Sequence, residues 1–236
     1  KSLLYKSGLG FHCVNHVQGC AHGCLYPCYA FMLAKRHGRV ESYDEWRRPR
    51  LVENALELLG RELARARRKI PCVHLSLTTD PFMTGFPEVE ALSLACIELI
   101  NSHGIPCSVL TKGILPGALA DGRRFRRDNT LGISLVSLDE GFRSRWEPHA
   151  SSYRERILAL ERLHRSGART LVHIEPYPTP NILAQRIEPL LEAVDFVDEV
   201  YFSGWNYSPL AAVFEDAEAF YDDQARKVRE FCRRRR

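Results

Sequence analysis

Six short runs rich in Val, Ile and Leu recur along this chain of 236 residues, separated by longer segments with apolar residues at helical spacing. The strand candidates are 12–18, 72–78, 106–111, 130–136, 169–175 and 198–203. Between them, Val52, Leu56, Leu59 and Leu63 form one apolar face, and Ile157, Leu160 and Leu163 another; three- and four-residue spacing is that of an amphipathic helix. Gly104 and Gly167 stand where a helix end should precede the next strand. Strands that alternate with helices must run parallel, joined by right-handed crossovers. Six such units can curl into an incomplete (β/α) barrel or open into a doubly wound sheet, and the alternation alone admits both. Eight units, which typically need about 250 residues, would be tight. No Pro/Gly/Ser-rich linker and no internal repeat divides the sequence, so a single domain over 1–236 is expected.

The polar residues sort themselves along this pattern. The stretch GCAHGCLYPCYA (19–30) follows the first strand, Thr78-Thr79-Asp80 the second, and Thr111-Lys112-Gly113 the third. Ser134 and Ser137 lie in and just after the fourth, His173 and Glu175 close the fifth, and Ser203-Gly204-Trp205-Asn206 follows the sixth. All are at carboxyl ends, the active-site edge of α/β folds. One shared site is expected there.

Composition narrows the class. At 45% hydrophobic and 26% charged the chain is ordinary for a globular protein, and no apolar run reaches the roughly 20 residues of a membrane helix. No signal-peptide pattern is visible, so the expected location is cytoplasmic; the first residue is Lys1 rather than Met, as in a chain trimmed at its termini. Eight cysteines suggest a disulfide framework only in a small secreted domain. Cys72, Cys96, Cys107 and Cys232 are scattered singly and read as small hydrophobes. The formal charge is +4, with arginines clustered at 65–69, 122–127 and 233–236. Such clusters suit either a phosphate backbone or a solvated face balanced by nearby Asp and Glu.

Three cysteines within nine residues are different in kind. Structural zinc takes four ligands, usually from two separate Cys or Cys/His pairs. Here Cys20, Cys24 and Cys28 have three residues between each pair, with His22, Cys13 or His16 as candidates for a fourth position. Three thiolates on one loop also suit three corners of a [4Fe–4S] cubane whose fourth iron stays open. Gly19 and Gly23 let such a loop wrap closely.

The loop resembles that of the radical S-adenosylmethionine (SAM) superfamily. The wider pattern is similar to its spore photoproduct lyase-like branch, through GCAHGCLYPCYA, SLTTDPF, SVLTKG, LGISLVSLDEGFRSRWEPHASSYRERILAL and IEPYPTP, in that order over residues 19 to about 206. The resemblance implies a partial (β/α)6 TIM-type barrel of parallel strands. It implies that Cys20, Cys24 and Cys28 ligate three irons of a [4Fe–4S] cluster and that SAM chelates the fourth. Tyr29 would lie by the adenine, Thr78, Thr79 and Asp80 by the methionine amino group, and Lys112 by the carboxylate. Ser134 would contact methionine or ribose, and Glu175 and Asn206 ribose or substrate. A one-electron reductant such as flavodoxin or ferredoxin is the implied partner, and nucleic acid a candidate substrate; no membrane association is implied.

Two departures stand out. The superfamily's common spacing is C-x3-C-x2-C, whereas this chain has C-x3-C-x3-C, as though Pro27 were inserted. One residue adds up to about 3.5 Å of reach, and proline fixes its own φ. Near the position where the lyase branch carries a hydrogen-donor cysteine, this chain has Leu77, and the nearest cysteine is Cys72. That departure argues against thymine-dimer repair by the same route.

Plainer roles stand beside these. Lys112 could be a surface lysine, Asp80 before Pro81 a turn cap, Ser134 a partner for the backbone, and His173 a hydrogen-bonded core residue. Tyr177 and Trp205 could stack on a base or merely pack. A zinc-containing nucleic-acid-binding module and a non-catalytic cluster scaffold are the alternative functions.

Overall fold

Parallel hydrogen-bonded ladders join all six barrel strands. In the computed structural model, which describes residues 2–66 and 69–235, the strands are β1 (Leu4–Lys6), β2 (His12–Val14), β3 (Val17–Gln18), β4 (Arg50–Leu51), β5 (Val73–Leu75), β6 (Cys107–Thr111), β7 (Thr130–Ser134), β8 (Arg169–Tyr177) and β9 (Glu199–Gly204). The helices are α1 (Tyr29–Arg36), α2 (Tyr43–Trp46), α3 (Ala55–Arg65), α4 (Pro87–Ser102), α5 (Glu140–Trp146), α6 (Tyr153–Arg165), α7 (Glu188–Ala193), α8 (Pro209–Ala212) and α9 (Ala217–Arg234). The main sheet runs β1-β2-β5-β6-β7-β8-β9, with β1 antiparallel and the rest parallel.

That order decides between the two architectures the alternation admits. Each parallel strand is added on the same side of the last, so right-handed crossovers place every connection on one face. A doubly wound sheet would reverse its strand order at a switch point, and this one does not. The result is a partial (β/α)6 barrel, with strand residues such as Val73, Val109, Leu131, Ile133, Val172 and Ile174 in the core.

Several expectations shift in detail. The 12–18 run splits after Val14, because Val17 and Gln18 leave the main sheet and pair antiparallel with β4. The 72–78 run stops at Leu75, where Ser76 adopts φ +56° and accepts from Thr79 N at 3.1 Å in a turn. On α3 the buried line is Ala55, Leu59 and Leu63, while Leu56 is 41% exposed. Gly104 and Gly167 do follow helices α4 and α6 in the left-handed region, at φ +74° and +87°. All eight cysteines are free thiols; Cys96 and Cys107 are buried.

The arginine clusters are paired in part. Arg123, Arg124 and Arg126 face Asp121, Glu98 and Asp128, and Arg235 faces Asp195. Arg67, Arg68 and Arg236 lie outside the described residues. Among the described residues no helix is long and apolar enough to cross a membrane.

Candidate functional site

The cysteine loop leaves the short ribbon strand β3 and runs into α1, gripped from two sides. Gly19 has φ +89°, and a Cβ there would come within 2.6 Å of Trp46 O, so only glycine lets Cys20 N donate to that carbonyl at 2.9 Å. Tyr43 OH donates to Cys24 O. From the other side, Leu25 N donates to Trp146 O at 2.8 Å and His149 N to His22 O at 3.1 Å. Cys28 is the N-cap residue of α1, its carbonyl accepting from Met32 N at 3.0 Å. The three thiols are partly exposed. Burial pushes the Cys20 thiol well up and the Cys24 thiol to about 12, so the proton leaves when a metal centre displaces it.

Each spacer of the loop sends one side chain to a buried carboxylate. His22 Nε2, in the first spacer, lies 2.9 Å from Asp80 Oδ2. The other donors to Asp80 are Phe82 N at 2.8 Å and Thr111 Oγ1 at 2.6 Å on Oδ1, and Lys112 N at 2.7 Å on Oδ2. Burial pushes this carboxyl up, but His22 and the hydrogen bonds outweigh it and hold it at about 2. A carboxylate has about four lone-pair sites; three take protein hydrogen bonds here, and His22 Nε2 stands beside Oδ2. Through these contacts the residue ties the cysteine loop to the ends of β5 and β6.

Tyr26, in the second spacer, donates to Glu147 Oε1 at 2.8 Å. Lys112 Nζ lies 3.1 Å from the same oxygen, and Arg156 Nη2 donates to Oε2 at 2.7 Å. Glu147 and Arg156 are both 0% exposed, whereas the Lys112 side chain keeps 16%. Arg156 completes its bonding on Ser134 O at 2.8 Å and Ser151 O at 3.0 Å. Burial pushes Glu147 up, but Lys112 and Arg156 together hold it at about 2.

A pH dependence follows from both carboxylates. Each has a folded value near 2, below its ordinary 3.8 (Asp80) or 4.5 (Glu147). A depressed value contributes stability that is present above the ordinary value and lost as the pH falls through the folded one. Urea midpoints should therefore drop between about pH 4.5 and pH 2. Asp80→Asn should be less stable at neutral pH and show a shallower acid loss; an unchanged acid slope would contradict the role given to Asp80.

The remaining expected residues occupy the same edge. Tyr29 opens α1, half exposed, and its OH donates to Leu77 O. Thr78 N donates to Asn15 Oδ1 at 3.4 Å, and the buried Thr79 Oγ1 has no partner. Ser134 is buried with its carbonyl on Arg156. Glu175, raised by burial, lies 3.4 Å from His173 Nε2, while Asn206 is exposed beyond β9. His173 is lowered to about 4, by burial and then by Lys112. Tyr177 and Trp205 are buried and pack; Trp205 meets Tyr26 edge-on at 5.4 Å. His16 is a core residue, its Nε2 2.7 Å from Ser93 Oγ, and Cys13 is buried in β2. Reading the sequence for sites missed Tyr26, Glu147 and Arg156. For Glu147 and Arg156 the only signal is the W-E-P…Y-R-E-R pattern within the fourth matching stretch, and Tyr26 stands in the cysteine loop itself.

The donor set fits a cluster. Three soft thiols sit on one loop, and among the described residues no three His, Cys, Asp or Glu side chains gather tightly enough for a single ion. A cubane places its corner irons apart and takes one thiolate at each. Beside it stand a partly accessible ammonium on Lys112 and the unpartnered Thr79 hydroxyl, donors suited to an anionic, polar ligand.

A three-thiol loop at the mouth of a partial parallel barrel defines an iron–sulfur class of α/β-barrel protein. The sequence model of the Radical SAM superfamily matches residues 14–194, and the chain belongs to that superfamily, whose enzymes use a [4Fe–4S] cluster and SAM. An uncharacterized protein, ORF301, of Acidianus two-tailed virus is 25% identical over 189 residues, covering 77% of this chain and 60% of that protein. Spore photoproduct lyase complexed with dinucleoside spore photoproduct matches with a TM-score of 0.61 at 15% identity. A mutant of the lyase with bound AdoMet and the same dinucleoside gives 0.62 at 14%. Both matches cover 93% of this chain and 62% of the lyase, and at these identities the likeness is one of fold. The chain thus spans about three-fifths of the length of these relatives.

Proposed function

We propose that this single domain binds a [4Fe–4S] cluster through Cys20, Cys24 and Cys28 and cleaves SAM reductively. The observation that carries the reading is the three-thiol loop gripped against Lys112 in a chain of this superfamily. When bound and reduced, the cluster supplies one electron to the sulfonium of SAM, giving methionine and a 5′-deoxyadenosyl radical that takes hydrogen from a substrate. The chain's own residues bind and orient. Lys112 offers a charge-assisted contact to the methionine carboxylate. Thr78, Thr79 and Asp80 line the amino-group side. Tyr29 flanks the adenine, and Ser134, Glu175 and Asn206 contact ribose or substrate. The barrel wall keeps water from the reacting atoms.

An external one-electron donor, a flavodoxin or ferredoxin, is the proposed partner, and a reducing cytoplasm suits three free thiols. Nucleic acid is the substrate class favoured by the dinucleoside ligand of the lyase.

Anaerobic reconstitution with iron and sulfide should load about four irons per chain. Dithionite and SAM should then yield 5′-deoxyadenosine. Loading without cleavage would make the chain a cluster scaffold, and stoichiometric zinc in place of iron would favour the nucleic-acid-binding module.

A further inference from the structure

We propose that Lys112, Glu147 and Arg156 form a charge-biased carboxylate site, in which Glu147 and Arg156 are positioning residues acting through Lys112. The inference rests on the SAM reading above and explains how this chain makes Lys112 fit for that role.

A lysine paired to a buried glutamate is a poor anion binder. The pair is neutral, and the glutamate repels an incoming carboxylate about as strongly as the lysine attracts it. Glu147 Oε1 lies 3.1 Å from Lys112 Nζ, so the pair by itself would be of that kind. Arg156 changes the balance. It bonds the other oxygen of Glu147 at 2.7 Å, and its remaining contacts go to Ser134 O and Ser151 O. With those bonds made and 0% exposure, Arg156 cannot turn toward a ligand. The group thus holds two positive charges against one negative. The surplus is presented by Lys112, the one member with solvent access.

An ammonium has three donor hydrogens, and among the hydrogen bonds and ion pairs at Nζ only Glu147 takes one. Glu175, the next carboxylate along the rim, lies 3.4 Å from His173 and feels the Lys112 charge, but the ion pair at Nζ is with Glu147. A surplus positive charge in a partly dry site is costly until an anion meets it. The occupant it favours carries a single carboxylate.

The geometry is also fixed mechanically. Lys112 N donates to Asp80 Oδ2 at 2.7 Å and Lys112 O accepts from Ser151 N at 3.1 Å. Ser151 O in turn accepts from Arg156 Nε at 3.0 Å. Arg156 therefore steadies both ends of Lys112, the side chain through Glu147 and the main chain through Ser151. Tyr26 brings the cysteine loop to the same Glu147 oxygen, so cluster loop and carboxylate site share one support.

The test uses anaerobically reconstituted protein and two probes in equilibrium dialysis. S-adenosylhomocysteine carries the amino-acid carboxylate and amino group; 5′-methylthioadenosine lacks both. Their affinity ratio reads the amino-acid contacts, its change among variants at Lys112, Glu147 and Arg156 reads the carboxylate contact, and it is insensitive to partial loss of folded protein. Arg156→Gln should lower the ratio about tenfold, the scale of one charge-assisted bond. Arg156→Lys, which keeps the charge, should stay within about threefold of wild type. The double variant Glu147→Gln/Arg156→Gln restores the surplus of one charge and should recover most of the ratio, which a merely structural role for Arg156 would not produce. If Arg156→Gln does not fold, the double variant decides: a ratio near wild type supports the inference, and a collapsed ratio overturns it. If Lys112→Met collapses the ratio while Arg156→Gln leaves it unchanged, the charge bias alone is wrong. If Lys112→Met leaves it unchanged, the SAM role of Lys112 fails and the inference falls with it.

Discussion

Replacing any one of Cys20, Cys24 or Cys28 with alanine should bring 5′-deoxyadenosine formation down to the level of protein without a cluster. Each thiolate holds a separate corner of a cubane, and the loop offers no spare ligand. His16, upstream, is committed to Ser93, Cys13 is buried in β2, and His22 is turned to Asp80. No neighbouring donor is free to slide into the empty corner. The loss should appear first as iron content and visible absorption, before any turnover is measured. Cys72 and Cys232 provide the contrast: both are free thiols away from the loop, and alanine there should leave iron content and product formation unchanged. Full activity in a Cys24→Ala protein would remove the cluster assignment altogether.

The same loop shows how far the sequence could be read. Strand–helix alternation placed β6, β7, β8 and β9 within two residues at each end, because parallel strands carry near-continuous apolar runs. It missed β1, a three-residue antiparallel edge whose Leu-Tyr-Lys has no pattern of its own. It also overran at Ser76, where a left-handed residue ends β5 without glycine or proline to announce it. The site divides in the same way. Cysteine spacing is visible in any alignment of letters, since three soft ligands on one loop have few other uses. Glu147 and Arg156 were not visible, because a charged residue in a helical stretch ordinarily reads as solvated surface. Only the folded chain shows that these two are wholly enclosed and meet over Lys112. Asp80 is, from sequence, a polar residue at a strand end, and only the folded chain shows how it knots together His22, Phe82, Thr111 and Lys112. Pro27 falls between these cases. The longer spacer is plain in the letters, while the bond from its Tyr26 to Glu147, just before Cys28 caps α1, is seen only in three dimensions.

Gly113→Ala should be among the most damaging single changes in the chain, although the residue is neither a ligand nor in a strand. A Cβ at Gly113 would stand 1.7 Å from Phe82 O and 2.8 Å from its carbonyl carbon. Both are backbone atoms, so no side-chain rotation relieves the conflict. Either the segment after Asp80 or the turn after Lys112 must move. Neither can move alone, because Asp80 holds Phe82 N on one oxygen and Lys112 N on the other, and Gly113 N donates to Thr111 Oγ1 at 2.8 Å. Overpacking of this kind costs about 1–3 kcal/mol, and the rigid backbone on both sides places Gly113→Ala at or above the upper end. The damage should extend to ligand binding. Shifting residue 112 by even a fraction of an ångström pulls Nζ away from Glu147, so the variant should lose affinity for S-adenosylhomocysteine more than for 5′-methylthioadenosine. Denaturant midpoints and the two affinities, measured on the same preparation, check both halves. A Gly113→Ala protein with wild-type stability and an unchanged affinity ratio would show that the close approach of the two loops does not set the position of Lys112.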